Sequence, residues 1–198
     1  MKLSFCFLLL VFSFNLYAAP YAVVVKVIGD VKYNGMEIKK GDKIKEKGLL
    51  ETGAKSVLRI FVESYNSNLT MGPNSKMELT FKKKKFKSSP YNLVNGVTRW
   101  VTQGKAKYKG SIKTKTAIMG VRGTNFIARV TEALGETEIV CFDGKVIFQN
   151  RKNKNNRYIV KKGQWGGIGG RFSPTIQPPI DLPQNVFNWM NILDTPEG

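Results

Sequence analysis

Residues 22–38 read AVVVKVIGDVKYNGMEI and fix the structural class of the chain. The stretch opens with a run of β-branched side chains, which a glycine–aspartate pair interrupts before VKY resumes the pattern. Asn34-Gly35 is a strong signal for a two-residue hairpin, because both turn positions tolerate a positive φ. The stretch therefore predicts strands joined by tight turns and not a helix.

The same alternation continues along the chain, and between Pro20 and Arg171 no convincing helical periodicity occurs. Short strands punctuated by Gly, Asn and Pro predict an all-β fold: a sandwich, a roll or a short β-helix of many short strands, with a short C-terminal helix. Further strands are predicted at 56–63, 68–71, 76–81, 93–94, 97–102, 105–108, 111–117, 125–131, 136–142, 145–149 and 158–160.

Residues 1–18 have the plan of a secretory signal peptide, with Lys2, an apolar run and then small residues up to Ala18. The run is shorter than the ~20 apolar residues that a membrane helix needs. We expect cleavage after Ala18 and a periplasmic or secreted protein with no membrane span. The alternative for this run is a buried core helix.

Residues 19–171 are predicted to form the β domain, and residues 172–198 a proline-rich segment followed by a short amphipathic helix. The prolines predict an extended segment outside the sheet. In 184–193, Val186, Trp189, Met190 and Leu193 have helical spacing. This helix is expected either to cover an open end of the sheet or to dock on a partner.

Two distant stretches resemble each other. Residues 29–42 and residues 144–164 each contain a strand that follows a glycine, a polar loop, a second strand and a Lys-Lys-Gly turn. The recurrence predicts a repeated hairpin type, and thus two related halves, and not a solenoid.

The composition closes most routes to catalysis. Histidine is absent, and the only cysteines are Cys6 and Cys141, which excludes histidine-based triads and Cys₄ metal sites. We predict no enzymatic activity, no cofactor and no metal. Glu132, Glu136 and Glu138 could flank a substrate such as an envelope glycan, although a solvated hairpin explains them as well. Cys141 lies in an apolar strand and is expected to be an inert thiol.

The formal net charge is +18, from 32 lysines and arginines against 14 acids. Basic faces are predicted at Lys82, Lys83, Lys84, Lys85, Lys105, Lys107, Lys109, Lys113 and Lys115, with a further basic loop at 151–157. They either keep the sheets soluble and block edge-to-edge pairing or attract a polyanion. No RNA- or DNA-binding motif is present, which disfavours nucleic acid. The stretch 166–170, GGIGG, lacks the context of a dinucleotide loop and predicts a flexible loop.

The most distinctive stretch is 112–126, IKTKTAIMGVRGTNF. Gly120 and Gly123 flank Val121 and Arg122, so the chain can turn sharply there or take a positive φ twice. The Arg122 guanidinium and the Thr124 hydroxyl could satisfy carbonyls left unpaired at such a corner. Alternatively, Arg122 grips an anionic ligand or partner.

This stretch resembles the signature of the FecR family, named for the ferric-citrate sensing regulator of bacterial envelopes. Members carry a strand ending in Thr-x-x-Ala, then Val-Arg-Gly-Thr and a further strand. The flanking matches, in order from Gly29 to Gln164, are Lys40-Gly41-Asp42, Glu51-Thr52-Gly53 with Ser56, Leu69-Thr70-Met71-Gly72-Pro73-Asn74-Ser75, Asn95-Gly96-Val97, Asp143-Gly144-Lys145-Val146 and Lys162-Gly163-Gln164.

The resemblance implies an all-β extracytoplasmic domain. Full-length regulators of the family have a cytoplasmic anti-sigma segment and a membrane helix before this domain, whereas here we expect a signal peptide. We therefore do not expect the part of the family's function that acts on sigma factors. The expected function is a non-enzymatic binding or scaffolding module that recognises an envelope partner, in signalling or otherwise. The alternative is a protein that binds lipopolysaccharide, wall polymer or nucleic acid through its basic faces. The oligomeric state stays open.

Overall fold

A computed structural model describes residues 22–80, 91–104, 110–121 and 123–190. In these residues the chain forms seventeen strands, two short 3₁₀ helices and one α-helix. The strands are β1 (Ala22–Ile28), β2 (Val31–Tyr33), β3 (Met36–Glu37), β4 (Lys43–Ile44), β5 (Gly48–Thr52), β6 (Val57–Val62), β7 (Ser67–Met71), β8 (Lys76–Leu79), β9 (Tyr91–Thr102), β10 (Gly110–Lys113), β11 (Ala117–Val121), β12 (Asn125–Thr131), β13 (Glu136–Asp143), β14 (Lys145–Asn150), β15 (Arg157–Lys161), β16 (Gln164–Ile168) and β17 (Ile180–Asp181). The helix α1 is Gln184–Met190, and the predicted all-β fold with a short C-terminal helix is confirmed.

The strands form two sheets that share one strand. The first sheet has the order β4-β1-β6-β7-β9-β12-β13-β16-β17. The second has the order β3-β2-β5-β8-β9-β10-β11-β14-β15. The shared strand, β9, leaves the second sheet at Gly96, where φ is +91°. A Cβ at this position would lie 2.5 Å from Ser75 Cα, so the crossing requires glycine.

The facing sides of the two sheets form the main core. Strand alternation places the core residues: in β6, Leu58, Ile60 and Val62 are fully buried and their neighbours are partly exposed. Tyr91 comes from the second-sheet part of β9 and Trp100 from the first-sheet part. Their rings meet edge to face at 5.4 Å between centroids, which ties the two sheets together.

The repeated hairpin type is confirmed. Gly29 (φ +72°) and Gly144 (φ +79°) each carry the chain from the first sheet to the second. Gly41 and Gly163 each return it, and their backbone N–H groups donate to the carbonyls of Val24 and Cys141, both at 2.8 Å. The two stretches that resemble each other in sequence therefore make the same excursion between the sheets.

A second repeat was not predicted. The first-sheet hairpins β6–β7 and β12–β13 are each joined by a 3₁₀ helix, Glu63–Tyr65 and Glu132–Leu134. Each helix follows a residue with nearly the same torsions, Val62 (φ −109°, ψ 99°) and Thr131 (φ −107°, ψ 98°), and ends at a left-handed residue. The common sequence pattern is only a glutamate followed three residues later by Asn or Gly, which is too short to stand out.

The proline-rich segment closes the fold. Ile176 belongs to the main core and is 1% exposed. Its backbone N–H donates to Asn156 Oδ1 (2.7 Å), and its carbonyl accepts from Asn156 Nδ2 (2.9 Å). The predicted absence of sheet structure was wrong at β17, because Ile180 and Asp181 lie between the prolines and can still pair at an edge with β16.

The flexible loop predicted at 166–170 was also wrong in its first part. Gly166 and Gly167 lie in β16 and are buried. A Cβ on Gly167 would lie 2.9 Å from the Trp165 ring and 3.0 Å from Phe172. These glycines therefore serve close packing and not mobility.

Helix α1 lies on the outer face of the first sheet. The Phe187 ring is 5.1 Å from that of Phe142, in an apolar cluster with Ile127, Val140 and Leu182. The helix thus packs within the chain, on a face and not at an open end, and Val186 of the predicted stripe is 36% exposed. Among the described helices, none has the length and apolarity that crossing a membrane requires.

The observed strands differ from the predicted ones at several places. Strands β4, β5 and β16 were missed; β4 has only two residues, and β16 contains two adjacent glycines. The two strands predicted at 93–94 and 97–102 are one strand that bends at Gly96. The strand predicted at 111–117 is split by a turn in which Thr114 Oγ1 accepts from the Ala117 N–H (2.9 Å), and the strand predicted at 105–108 lies outside the described residues.

The packing of the C-terminal segment predicts a large difference between two isoleucines of that segment. Replacement of Ile176 by Ala should lower the free energy of unfolding by about 2–5 kcal/mol, because it leaves a cavity in the core. Replacement of Ile180, which is 56% exposed, should change it by less than about 0.5 kcal/mol. Urea denaturation of both variants checks this, and equal effects would contradict the proposed role of Ile176.

Candidate functional site

The stretch around residues 120–124 carries the chain from the second sheet to the first. Gly120 and Val121 end β11, and Asn125 begins β12. Gly123 is left-handed, with φ +61°. Gly120 instead lies within the strand, opposite Ser111 and Ile147, so the expectation of two positive φ values holds at only one glycine. Arg122 lies outside the described residues.

The corner is held by a close approach of two backbone segments. Gly144 (φ +79°) lies so near that a Cβ on it would be 2.6 Å from the carbonyl oxygen of Gly123. The Thr124 carbonyl accepts from the backbone N–H of Thr102 at 3.0 Å. The Thr124 hydroxyl was expected to satisfy a local carbonyl, but it is buried and finds no hydrogen-bond partner in the described part of the chain. Backbone contacts, and not that hydroxyl, fix this corner.

Next to the corner lies a buried arginine that the sequence did not single out. Arg99 is 4% exposed, and its Nε donates to Asn125 Oδ1 at 2.9 Å. Its guanidinium stacks 4.6 Å from the centre of the Phe142 ring, a favourable cation–π geometry. Arg99 therefore joins the first strand after the motif to the apolar cluster under α1. No sequence signal distinguishes it from a surface arginine in an alternating strand.

The predicted basic segments are partly brought together. Lys82–Lys85, Lys105, Lys107 and Lys109 lie outside the described residues. Lys113 ends β10 and Lys115 lies in the β10–β11 turn, which is beside the 151–157 loop because Ala117 pairs with Asn150. Arg151 locks the two together, since its Nη1 donates to the Thr114 carbonyl at 2.9 Å.

The outer side of β10, β11, β14 and β15 carries cations and isoleucines, and we call it the cationic face. Cross-strand pairing arranges it in three rows, Lys113–Ile118–Gln149–Arg157, Ser111–Gly120–Ile147–Ile159 and Lys145–Lys161. Ile147 and Ile159 are 49% and 52% exposed. The rows contain four cations and no carboxylate. The Gly120 backbone lies beside Ile147, with 3.7 Å between an added Cβ and the Ile147 Cβ, which connects the motif to this face.

The first half of the same sheet has a different surface. Lys32 Nζ lies 3.3 Å from the Asp30 carboxylate, and Lys76 Nζ lies 3.2 Å from that of Glu51. Glu78 accepts from Asn92 Nδ2 at 2.9 Å. Cations and acids are therefore interspersed here, whereas the cationic face has one sign of charge only.

Two of the candidate reactive groups, Glu136 and Cys141, are buried in the fold. Glu136 is buried and binds Arg171 through two charge-assisted bonds of 2.8 and 2.9 Å, and these bonds lower the pKa of its carboxyl. Burial raises the pKa of the Cys141 thiol to about 11. Glu132 is exposed and lines an open cleft of about 200 Å³ with Lys115 and Arg151. The described residues contain no group of His, Cys, Asp or Glu suited to a metal ion.

Comparisons with known proteins show the family through one match and the fold through others. The model of the family described as "FecR protein" matches residues 49–147. Two crystal structures of candidate anti-sigma factors from Parabacteroides distasonis ATCC 8503 have a similar fold, each with a TM-score of 0.57 and 10% identity. The matches cover 72% of this chain and 64% and 63% of those chains, so this chain spans less than two thirds of their length. Identity this low concerns the fold alone. No curated protein matches the sequence.

The motif corner predicts different costs for two glycines with nearly the same backbone conformation. Gly144 and Gly163 have φ values of +79° and +81°, but a Cβ on Gly163 would meet nothing within 4 Å. Replacement of Gly163 by Ala should cost about 1 kcal/mol, the strain of the left-handed conformation. Replacement of Gly144 by Ala should cost about 1–3 kcal/mol more, because its Cβ meets the Gly123 carbonyl. Thermal unfolding of the two variants measures the difference, and similar losses would mean that the corner is loose.

Proposed function

The chain belongs to the FecR protein family, and from this premise we propose that it is an extracytoplasmic, non-enzymatic scaffold that binds a component of the bacterial envelope as part of a signalling system. The observation that carries the proposal is that the outer faces of the two sheets differ in how far the chain itself covers their apolar side chains. On the first sheet, the outer apolar cluster on β12 and β13 is covered by the chain's own Phe187 and Leu182. The second sheet leaves Ile147 and Ile159 half exposed among cations.

An exposed apolar centre with a charged rim is a common property of surfaces that bind partners. Ile147 and Ile159 face each other directly across β14 and β15, so their exposed side chains form one continuous patch. The supporting strands are hydrogen-bonded into a sheet that continues through β11 to β9. Such a surface is rigid before binding, which reduces the entropic cost of association.

The state of the reactive groups supports binding over catalysis. The Glu136 carboxylate, the most deeply buried of the three candidate acids, is held by Arg171 in a bidentate pair. Cys141 is fully buried, and a thiol with a pKa near 11 is almost entirely protonated at neutral pH. These groups stabilise the fold and are poorly placed to attack a substrate.

The envelope location rests on two further points. Residues 1–18 have the pattern of a secretory leader, and the FecR resemblance implies an extracytoplasmic domain. The signalling role is suggested by the fold shared with candidate anti-sigma factors. Their partners are not transferred to this chain, which covers only part of their length.

Site-directed cross-linking tests the proposal. We would place a thiol-specific photo-crosslinker on Ile147→Cys, in a background where Cys6 is replaced by Ser, and irradiate it in envelope extracts. We expect one major adduct, identified by mass spectrometry. Labelling at Cys141 should be negligible, because that thiol is buried and protonated.

Ile28→Cys is the matched control, since Ile28 is a similarly exposed isoleucine (40%) at the end of β1, away from the cationic face. We expect no adduct from this position. The proposal fails if both positions give the same adducts in equal yield, or if position 147 gives none.

A second candidate function is the binding of a soluble polyanion through the same basic surface. It is favoured by the four cations of the cationic face and by the adjoining 151–157 loop, which contains no acid. Affinity for a polymer such as polyphosphate should then fall about 100-fold or more between about 50 and 300 mM salt, because binding releases counterions. Fluorescence titration at several salt concentrations measures this slope, and a flat response would remove the candidate.

A further inference from the structure

The cationic face has a feature that folding alone disfavours. Lys145 and Lys161 lie directly opposite each other on β14 and β15, and like charges at opposed positions destabilise a strand pair. Neither lysine makes an ion pair with any described residue, in contrast to Lys32 and Lys76 on the other half of the sheet. An anionic ligand that bridges the two ammonium groups would remove the repulsion.

The next row adds an apolar element. Ile147 and Ile159 lie between the Lys145–Lys161 row and the row that contains Lys113 and Arg157. Because side chains stand nearly perpendicular to a sheet, both isoleucines project in the same direction as the cations around them. A ligand that fits this arrangement carries negative charge at its surface and offers an apolar layer just beneath it.

The dimensions also fit a broad ligand. Four strands spaced about 4.8 Å apart and three rows about 7 Å apart give a patch of roughly 15 by 15 Å. A single polymer strand would contact the cations but leave the isoleucines in water. An acidic protein could cover both, but the clefts found in the described residues, where a specific acidic side chain could insert, are lined by neither Ile147 nor Ile159. A bilayer matches the breadth, the charge and the apolar centre together.

Resting on the envelope location of the proposed function, we propose that the cationic face docks on an anionic lipid bilayer. Ile147 and Ile159 enter the interface, and Lys113, Lys145, Arg157 and Lys161 contact the lipid phosphates. The charge-balanced half of the second sheet, around Lys32 and Lys76, stays off the surface. Only one end of the molecule therefore adheres, through contacts that resemble those of interfacial anchors.

Vesicle binding tests the proposal. We would measure partition of the full chain onto vesicles of equal parts phosphatidylglycerol and phosphatidylcholine, and onto vesicles of phosphatidylcholine alone. The wild type should bind the first and not the second. The double variant Lys145→Gln/Lys161→Gln should bind about 30-fold more weakly, because each cation near an anionic surface contributes about 1 kcal/mol.

The matched control is Lys32→Gln/Lys76→Gln, which changes the net charge by the same amount on the other half of the sheet. We expect a change of less than about 3-fold there. The variant Ile147→Ser/Ile159→Ser should lose about 10-fold or more, because it removes the apolar anchor. Any part of the leader that remains is common to all variants and cancels in these ratios.

A direct readout on a folded variant accompanies the partition data. A polarity-sensitive fluorophore on Ile147→Cys, again with Cys6 replaced by Ser, should shift to shorter wavelength when phosphatidylglycerol vesicles are added. The same label on Ile28→Cys should not shift.

Three results would overturn the proposal: no binding of the wild type to the anionic vesicles, equal losses from the two lysine pairs, or full binding by the serine variant. Full binding by the serine variant would mean that the protein recognises only the charge of the headgroups, as it would recognise the charge of a soluble polyanion. A specific cross-link to an envelope protein through position 147, with no vesicle binding, would support the proposed function and rule out the bilayer as the ligand of this face.

Discussion

The passage of the chain between two sheets at left-handed glycines is the constraint on which the rest of the structure depends. Gly29, Gly96, Gly123 and Gly144 each lie where the chain leaves one sheet for the other, and each has a positive φ. At Gly96 and Gly144 the neighbouring backbone lies so close that a Cβ would overlap with it. Because the crossings are fixed, the strands that follow them keep their register, and the alternation of side chains places one set in the shared core and the other on an outer face. The core and both outer surfaces are thus consequences of where the chain can turn.

The two outer faces then differ because of what the chain does after residue 168. The C-terminal segment returns to the first sheet, fills the core with Ile176 and lays Phe187 over Phe142. The second sheet receives no such cover in the described residues, and its two halves diverge in charge. The first half interleaves lysines with carboxylates, whereas the second has cations around Ile147 and Ile159. Two exposed isoleucines cost the fold little stability. Because only cations surround them, the surface that they form is complementary to a negatively charged partner.

The local sequence pattern predicted most of the fold, because the signals for β-branched strands and for Asn-Gly turns lie within a few neighbouring residues. Asn34 and Gly35 adopt the left-handed torsions that the hairpin signal requires. The predictions missed features that depend on distant neighbours. Gly166 and Gly167 resemble a loop until Trp165 and Phe148 are seen to pack over them. For the same reason the cationic face could be predicted only in part: Lys113 stood out in the sequence, but Lys145 and Lys161 become a pair only through the β14–β15 register. Arg99 has no local signal at all, since its burial depends on Phe142 and Asn125.

Gly120 connects the family motif to the outer surface. A glycine inside a strand costs about 0.5–1 kcal/mol relative to alanine, and here the backbone is not left-handed. A Cβ at this position would meet the Ile147 side chain at 3.7 Å, an ordinary contact distance, so packing within the chain does not require glycine. Unlike Gly123 and Gly144, whose conformations are needed for the crossing, Gly120 has no described neighbour close enough to exclude a side chain. The absence of a side chain at Gly120 leaves a shallow depression at the centre of the cationic face. There the surface of a ligand can approach the strand backbone next to Ile147. In the proposed docking, Gly123 therefore serves the crossing between the sheets, and Gly120 lets the bilayer surface approach the strand backbone.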